Sequence, residues 1–144
     1  MTQENQKKAV SFIRFWVPVF VWIVIIYSFS SRTMPSVGPT YITNFAAKKT
    51  AHVLEYSVLS ILLYRALINY GFSKTTAFIW AVSFCFIYGA SDEYHQTFTP
   101  GREPRIRDVF IDTIGGSVGL LIIWKLLPLA PGRLKNWAIK LDLV

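Results

Sequence analysis

Residues 89–116, GASDEYHQTFTPGREPRIRDVFIDTIGG, concentrate charge in a chain that is otherwise apolar. Hydrophobic residues make up 53% of the protein and charged residues only 16%, against roughly 25% charged in soluble domains. Yet five of its eight acidic residues fall within this one stretch, together with His95 and three arginines. These five are Asp92, Glu93, Glu103, Asp108 and Asp112. Burial, ion pairing or chemistry must account for them.

Four apolar segments lie before, within and after this stretch. A membrane-spanning helix needs about 20 mostly apolar residues, and we predict such helices at residues 14–30, 51–70, 76–93 and 109–129. The apolar part of the third segment, residues 76–90, is short unless its helix continues into residues 91–94. The first is longer than the apolar part of a usual signal peptide, so we expect a retained anchor. The sequence therefore predicts an all-α membrane protein, a single domain over residues 1–144 with a bundle of four transmembrane helices.

The basic residues indicate an orientation, because lysine and arginine accumulate in cytoplasmic loops. With four spans, both termini lie on one side of the membrane, and that side carries nine basic residues against six on the other. We therefore predict that both termini are cytoplasmic. The polar ends of the predicted helices then gather on the outer side. Because the basic residues flank spans, anionic lipid is a better partner for the high positive charge than nucleic acid.

Helical spacing predicts which polar side chains share a face. Residues three or four apart lie on one side of a helix, which groups Lys49, His52, Glu55 and Tyr56 on the second span. Ionisable residues near the membrane are costly and usually face the bundle interior with partners. The alternative is a solvated helix end, with Lys49 extending outward to water.

The same spacing groups Asp92, His95 and Gln96, whereas Glu93 is expected to point partly elsewhere. Asp108 and Asp112 share a side of the fourth span. Two buried carboxylates need a basic partner, a cation or a shared proton. Small residues continue that face at Gly115 or Gly116 and then Gly119, so another helix can approach closely and Asp112 is predicted to be packed against protein.

The turn signal Thr99-Pro100-Gly101 can fold Arg102 back toward the acids, and Arg105 or Arg107 can do the same. An arginine binds a carboxylate or phosphate with two parallel hydrogen bonds. The alternatives are a purely structural ion-pair network and a metal site. Histidines and carboxylates suit zinc or manganese, but no HExxH motif or cysteine pair is present, so we predict no metal and no cofactor. The single cysteine, Cys85, excludes an intrachain disulfide and is expected to serve packing.

Three motifs resemble the VanZ-like family of bacterial integral membrane proteins: KTAHVLEY at 49–56, SDEYHQTFTPGR at 91–102 and DVFIDTIGG at 108–116. The resemblance covers about residues 15–127. It implies a multi-pass protein of the bacterial cytoplasmic membrane, and the namesake of the family is linked to teicoplanin resistance. It also implies a shared site with ten members at matching positions: His52, Glu55, Tyr56, Asp92, Glu93, His95, Gln96, Arg102, Asp108 and Asp112.

Four functions are compatible with this site, and we rank binding first. Lys49, Arg102 and Arg107 join the acidic and histidine residues in a predicted pocket for an anionic envelope lipid or a lipid-linked precursor, with a further expected effect on glycopeptide susceptibility. The second function is a membrane-embedded hydrolase or transferase, with His52, Glu55, Glu93, His95 and Asp112 as catalytic candidates. A structural charge network and an ion-coupled transporter are the third and fourth. Whether the protein is an enzyme, and how it oligomerises, stay open.

Overall fold

A computed structural model describes residues 3–32, 40–100, 102 and 105–142. Four long helices follow one another: α1 (Gln3–Ser30), α2 (Tyr41–Asn69), α3 (Lys74–Gln96) and α4 (Ile106–Leu121). The fourth continues through a π-helical turn, Ile122–Leu126, and a 3₁₀ turn, Leu127–Leu129, before the short α5 (Gly132–Lys140). No strand occurs in this part of the chain, which confirms the prediction of an all-α protein.

Local sequence explains where α2 and α3 begin and why they run antiparallel. The hydroxyl of Thr40 accepts from the Thr43 N–H, and the Thr43 hydroxyl in turn accepts from the Thr40 N–H, so α2 starts with a reciprocal cap. Ser73 caps α3 by accepting from the Thr76 N–H. Between these helices Gly71 has a φ of +103°, a conformation that glycine adopts without steric cost. The tight turn sends α3 back along α2.

The helices are longer at their starts than the apolar segments from which they were predicted. Helix α1 begins at Gln3 rather than Arg14, and α2 begins at Tyr41 rather than Ala51. Polar residues in these first turns are compatible with a helix whose end stands outside the apolar layer. At the other end of the chain, the segment 109–129 is α-helical only to Leu121.

Among the described residues, three helices are long and apolar enough to cross a membrane: Val10–Ser30, Ile42–Asn69 and Ile106–Leu129. These correspond to the first, second and fourth predicted spans. Helix α3, with 23 residues, is long enough but is not among the three. Its membrane crossing therefore stays a prediction.

Helix α2 is the central element, since it packs against α1, α3 and α4. Its residues Tyr56 and Leu59 are fully buried, and Val19 and Ile26 of α1 are buried in the same core cluster. The opposite faces of the helices expose large apolar side chains, for example Phe20 and Val24 of α1, Ile79 and Ile87 of α3, and Ile114 and Val118 of α4. An apolar exterior around a packed interior is the surface that a bilayer covers.

Candidate functional site

The contact between α2 and α4 is close because α4 presents glycines to it. A β-carbon built on Gly115 would lie 2.9 Å from the backbone of Val53, and one on Gly119 would lie 2.8 Å from the side chain of Ser57. Only glycine fits where backbones approach so closely. This confirms the predicted small-residue track, and it fixes how far the acids one and two turns earlier on α4 stand from α2.

Two pairs join α2 to α4 just beyond this contact. Lys49 Nζ lies 2.5 Å from Asp108 Oδ2, and His52 Nδ1 lies 3.4 Å from Asp112 Oδ1. The side chains of His52 and Asp112 are only 6% and 1% exposed, so neither is a solvated helix end. The 3.4 Å contact is not aligned as a hydrogen bond, and Nδ1 of His52 and Oδ2 of Asp112 have no hydrogen-bond partner among the described residues.

Further carboxylates surround the buried histidine. Asp112, Glu55 and Asp92 all act electrostatically on His52, so three helices contribute charge around one imidazole. Tyr56, one turn further along α2, is fully buried, and its hydroxyl has no hydrogen-bond partner in the described part of the chain. We call His52, Glu55, Tyr56, Asp92 and Asp112 the inner cluster.

Helix α3 contributes two buried acids in different directions. The side-chain amide of Gln96 donates to Asp92 at 3.0 Å and to the Ser30 hydroxyl at 2.8 Å, which ties α3 to the end of α1. Glu93 is also buried, at 7% exposure, and it accepts from the backbone N–H of Arg105 at 2.9 Å. This agrees with the expectation that Glu93 points partly elsewhere than Asp92 and Gln96: it turns toward the start of α4.

His95 is separate from His52. Its Nε2 lies 3.1 Å from the Ser31 hydroxyl, and its ring lies 4.6 Å from that of Tyr27. The predicted common face of Asp92, His95 and Gln96 therefore holds only in part, because Asp92 and Gln96 are buried while His95 is half-buried against the end of α1.

The arginines differ in what they bind. Arg102 Nη2 donates to the backbone carbonyls of Phe29, at 3.3 Å, and Arg32, at 2.9 Å, while its buried Nε has no hydrogen-bond partner among the described residues. The charge of Arg102 still acts on Glu55. Arg107 is half-exposed, 3.5 Å from Asp108 Oδ1. Glu103 lies outside the described residues.

Two cavities open beside these residues. One, of about 260 Å³, is lined by aromatic side chains with Asp92 and His95 among them. The other, of about 370 Å³, lies between α3 and α4, with Glu93 and Arg105 at its polar end and an apolar wall that includes Phe86, Val109 and Phe110. We call the second cavity the α3–α4 groove.

Within the described residues, no group of three or more histidine, cysteine, aspartate or glutamate side chains is arranged to hold a metal ion. Cys85 is buried, with its sulfur 4.0 Å from the Tyr56 carbonyl oxygen. Its environment is that of a packing residue.

Sequence reasoning missed several polar side chains that hold the site together. Ser57 Oγ lies 2.7 Å from the Gly115 carbonyl oxygen, and Ser60 Oγ lies 2.8 Å from that of Gly116. Trp22 Nε1 donates to the Glu55 carbonyl at 2.9 Å. The serine contacts could have been predicted from the sequence, since small polar residues three apart in an apolar segment mark a helix contact. No sequence pattern indicated the contact of the tryptophan.

Comparison with protein families agrees with the motifs. The VanZ/LLP1 family model matches residues 2–128, which is most of the chain. The protein belongs to the VanZ/LLP1 family. With its apolar helices, it is a membrane protein of VanZ type. Comparison with curated proteins and with solved structures gave no match.

Proposed function

We propose that this VanZ/LLP1 protein binds an anionic lipid head group, or the head group of a lipid-linked envelope precursor, at the outer end of a four-span bundle. Arg102 carries the proposal. Its Nη2 is fixed by two backbone carbonyls at the end of α1, while Nε is left without a hydrogen-bond partner in the described residues. An arginine held in this way is pre-organised for a phosphate or carboxylate. No acidic side chain among the described residues accepts a hydrogen bond from that Nε.

The proposed four-span topology follows from the positions of the helix ends. Lys49, in the first part of α2, meets Asp108 near the start of α4, and α2 ends at Asn69 at the opposite end of the bundle. Helix α3 connects that opposite end with the start of α4. Its 23 residues measure about 34 Å, enough for a hydrocarbon core of about 30 Å. With both termini cytoplasmic, the site lies on the outer face of the bacterial cytoplasmic membrane.

The α3–α4 groove supports a lipid rather than a soluble ligand. Its walls are mostly apolar and include two exposed residues of α4 that a bilayer would cover, Ile106 and Phe110. An acyl or isoprenoid chain can lie along Phe86 and Phe110 while its polar end reaches Glu93 and Arg105. The smaller cavity at His95 is suited to a head group by its mixture of aromatic rings, a carboxylate and an imidazole.

Native mass spectrometry of the gently solubilised protein tests the binding proposal. Wild type is expected to retain a defined anionic lipid, and Arg102→Gln is expected to lose it while keeping its helical circular dichroism. Lys74→Gln is the matched control, because Lys74 is an exposed cation at the opposite end of the bundle. Equal lipid retention by wild type and folded Arg102→Gln would overturn the proposal.

A second function is supported by His52 and Asp112. A buried imidazole beside a carboxylate is the arrangement of a general base and the group that orients it, and the unpartnered Tyr56 hydroxyl lies in the same cluster. In a hydrolase or transferase of this kind the orienting carboxylate is Asp112, rather than Asp92 or Glu93. A mass change in the bound lipid that depends on His52, and disappears in His52→Asn, would replace simple binding by catalysis.

The effect on glycopeptide susceptibility is a separate proposal, tested by growth of the Arg102→Gln strain with teicoplanin.

A further inference from the structure

Helix α5 is amphipathic and directly follows a candidate span. The span ends at Leu129, a 3₁₀ turn containing Pro128 ends the helix, and Pro131 precedes the start of α5 at Gly132. Because proline cannot continue a helix, the chain changes direction here. The short helix therefore begins where the apolar layer of the bundle stops.

The two faces of α5 differ in chemistry. Leu134, Trp137 and Leu141 are spaced by three and four residues, so they share a face, and each remains exposed, at 51%, 64% and 37%. Ala138, beside them, is buried against the rest of the protein. Arg133, Asn136 and Lys140 form a second stripe, and Lys135 adds a third positive charge. Ile139 is the one large apolar residue on this polar side.

The charge of α5 is uncompensated within the helix. Residues 132–141 contain three basic and no acidic residues. The first acid after them, Asp142, is already paired: its Oδ2 lies 2.5 Å from Arg14 Nη2 in α1 and 3.4 Å from Arg65 Nη2 in α2. Asn69 Nδ2 donates to the Asp142 backbone carbonyl at 3.5 Å. Asp142 thus ties the end of α5 to the bundle instead of neutralising it.

We propose that α5 lies in the membrane interface and binds the anionic head groups of the leaflet at the end of the bundle opposite the inner cluster. Leu134 and Trp137 insert among the acyl chains, and Arg133, Lys135 and Lys140 contact the head groups. An apolar face with basic residues beside it is the pattern of helices that lie on anionic membranes. Each basic residue near such a surface contributes roughly a fivefold preference for anionic over neutral lipid. The proposal concerns the opposite end of the molecule from the head-group site and does not depend on it.

Fluorescence of the full chain in nanodiscs tests this placement. In a Cys85→Ala background, Leu134→Cys and Asn136→Cys are each labelled with an environment-sensitive fluorophore. Discs are made of phosphatidylcholine alone or of equal parts phosphatidylcholine and phosphatidylglycerol. Doxyl-labelled lipid is expected to quench the label at position 134. Iodide is expected to quench this label several-fold less than the label at position 136, and this difference between the two positions is expected to be larger in the anionic discs. Equal iodide quenching at the two positions in both discs would overturn the interfacial placement.

The role of charge is tested by a matched pair of triple variants carrying the position-134 label. The variant Arg133→Gln, Lys135→Gln, Lys140→Gln is expected to lose the difference between neutral and anionic discs. The variant Arg133→Lys, Lys135→Arg, Lys140→Arg keeps the charge and is expected to retain it. If both triple variants respond to phosphatidylglycerol as the parent does, recognition of anionic lipid by these residues is wrong. Melting temperatures of all variants establish that they are folded.

Discussion

At the scale of single residues, the ion pair between Lys49 and Asp108 can be compared with a second pair on the same carboxylate. Lys49 approaches Asp108 to 2.5 Å with a side chain that is 21% exposed, whereas Arg107 lies 3.5 Å away and is 52% exposed. Solvent screens an exposed pair more strongly and makes it worth less. In double-mutant cycles, we expect a coupling free energy of about 1–3 kcal/mol for Lys49 with Asp108 and about 0.2–1 kcal/mol for Arg107 with Asp108.

The cycles use Lys49→Met, Arg107→Met and Asp108→Asn, with the free energy of unfolding measured by circular dichroism in mixed micelles containing increasing SDS. The Arg107 cycle serves as the internal control because it shares Asp108. Equal coupling in the two cycles would mean that Lys49 is solvated in the folded protein, as at an exposed helix end.

Gly115 is a residue whose lack of a side chain positions the site. Its added β-carbon would meet Val53 backbone atoms at 2.9 Å, whereas one on Gly89 would meet only side-chain atoms of Tyr56 and Val109 at 3.6 Å or more. We expect Gly115→Ala to lower the free energy of unfolding by about 1–3 kcal/mol, since backbone must move to relieve the clash. Gly89→Ala is the matched control and should be close to neutral. SDS titration measures both, and a tolerated Gly115→Ala would contradict the close helix contact.

At the scale of elements, two serine hydroxyls connect α2 to α4. Ser57 Oγ lies 2.6 Å from the Val53 carbonyl oxygen in its own helix and 2.7 Å from the Gly115 carbonyl oxygen in α4, so one proton is shared between them. Among the described residues, Ser28 Oγ donates only within its own helix, to the Val24 carbonyl oxygen. In membrane proteins an interhelical hydrogen bond contributes about 0.6 kcal/mol. We therefore expect Ser57→Ala to destabilise by about this amount and Ser28→Ala to have less effect.

Unfolding of the two serine variants in SDS provides the comparison. A further variant, Ser60→Ala, should resemble Ser57→Ala because Ser60 also lies 2.8 Å from a carbonyl oxygen of α4. If all three alanine variants have the same stability, the hydroxyls do not contribute to the α2–α4 contact.

The elements show what sequence determines and what it leaves open. Apolar runs and helical spacing were sufficient to predict helices and to place Asp112 on a packed face, because both depend on local periodicity. They were not sufficient for the helix starts: residues 41–50 of α2 mix apolar and polar side chains, and the cap formed by Thr40 and Thr43 determines where the helix begins.

Partners across the site depend on which helices are neighbours and how each is rotated about its axis. Helical spacing placed Lys49 and His52 on one face, but it did not assign Lys49 to Asp108 and His52 to Asp112. It also did not identify the partner of Glu93, whose carboxylate accepts from the backbone N–H of Arg105. A rotation of one helix by a single residue changes these partners without changing the hydrophobic pattern.

At the scale of the whole molecule, the two ends of the bundle have different chemistry. One end gathers the inner cluster with Lys49, Glu93 and Arg102, and the other carries the basic α5 and the pairs that Asp142 makes with Arg14 and Arg65. A protein with lipid-exposed sides and unlike ends must be oriented, so the orientation decides which leaflet each end meets. The candidate span Ile106–Leu129 joins the two ends, so its crossing would put the head-group site and α5 in opposite leaflets. Four spans require in addition that α3 crosses the membrane.

Single-cysteine labelling in the Cys85→Ala background tests the crossing. We expect an impermeant maleimide to label Thr97→Cys from outside intact cells, and Lys74→Cys and Lys135→Cys only after permeabilisation, because α3 places its two ends on opposite sides. All three native side chains are exposed, so labelling differences report sidedness rather than burial. If Lys74→Cys and Thr97→Cys label from the same side, α3 does not cross and the chain has three spans. If Lys74→Cys and Lys135→Cys are the outer positions, the four-span bundle stands but is inverted, and the head-group site then faces the cytoplasmic leaflet.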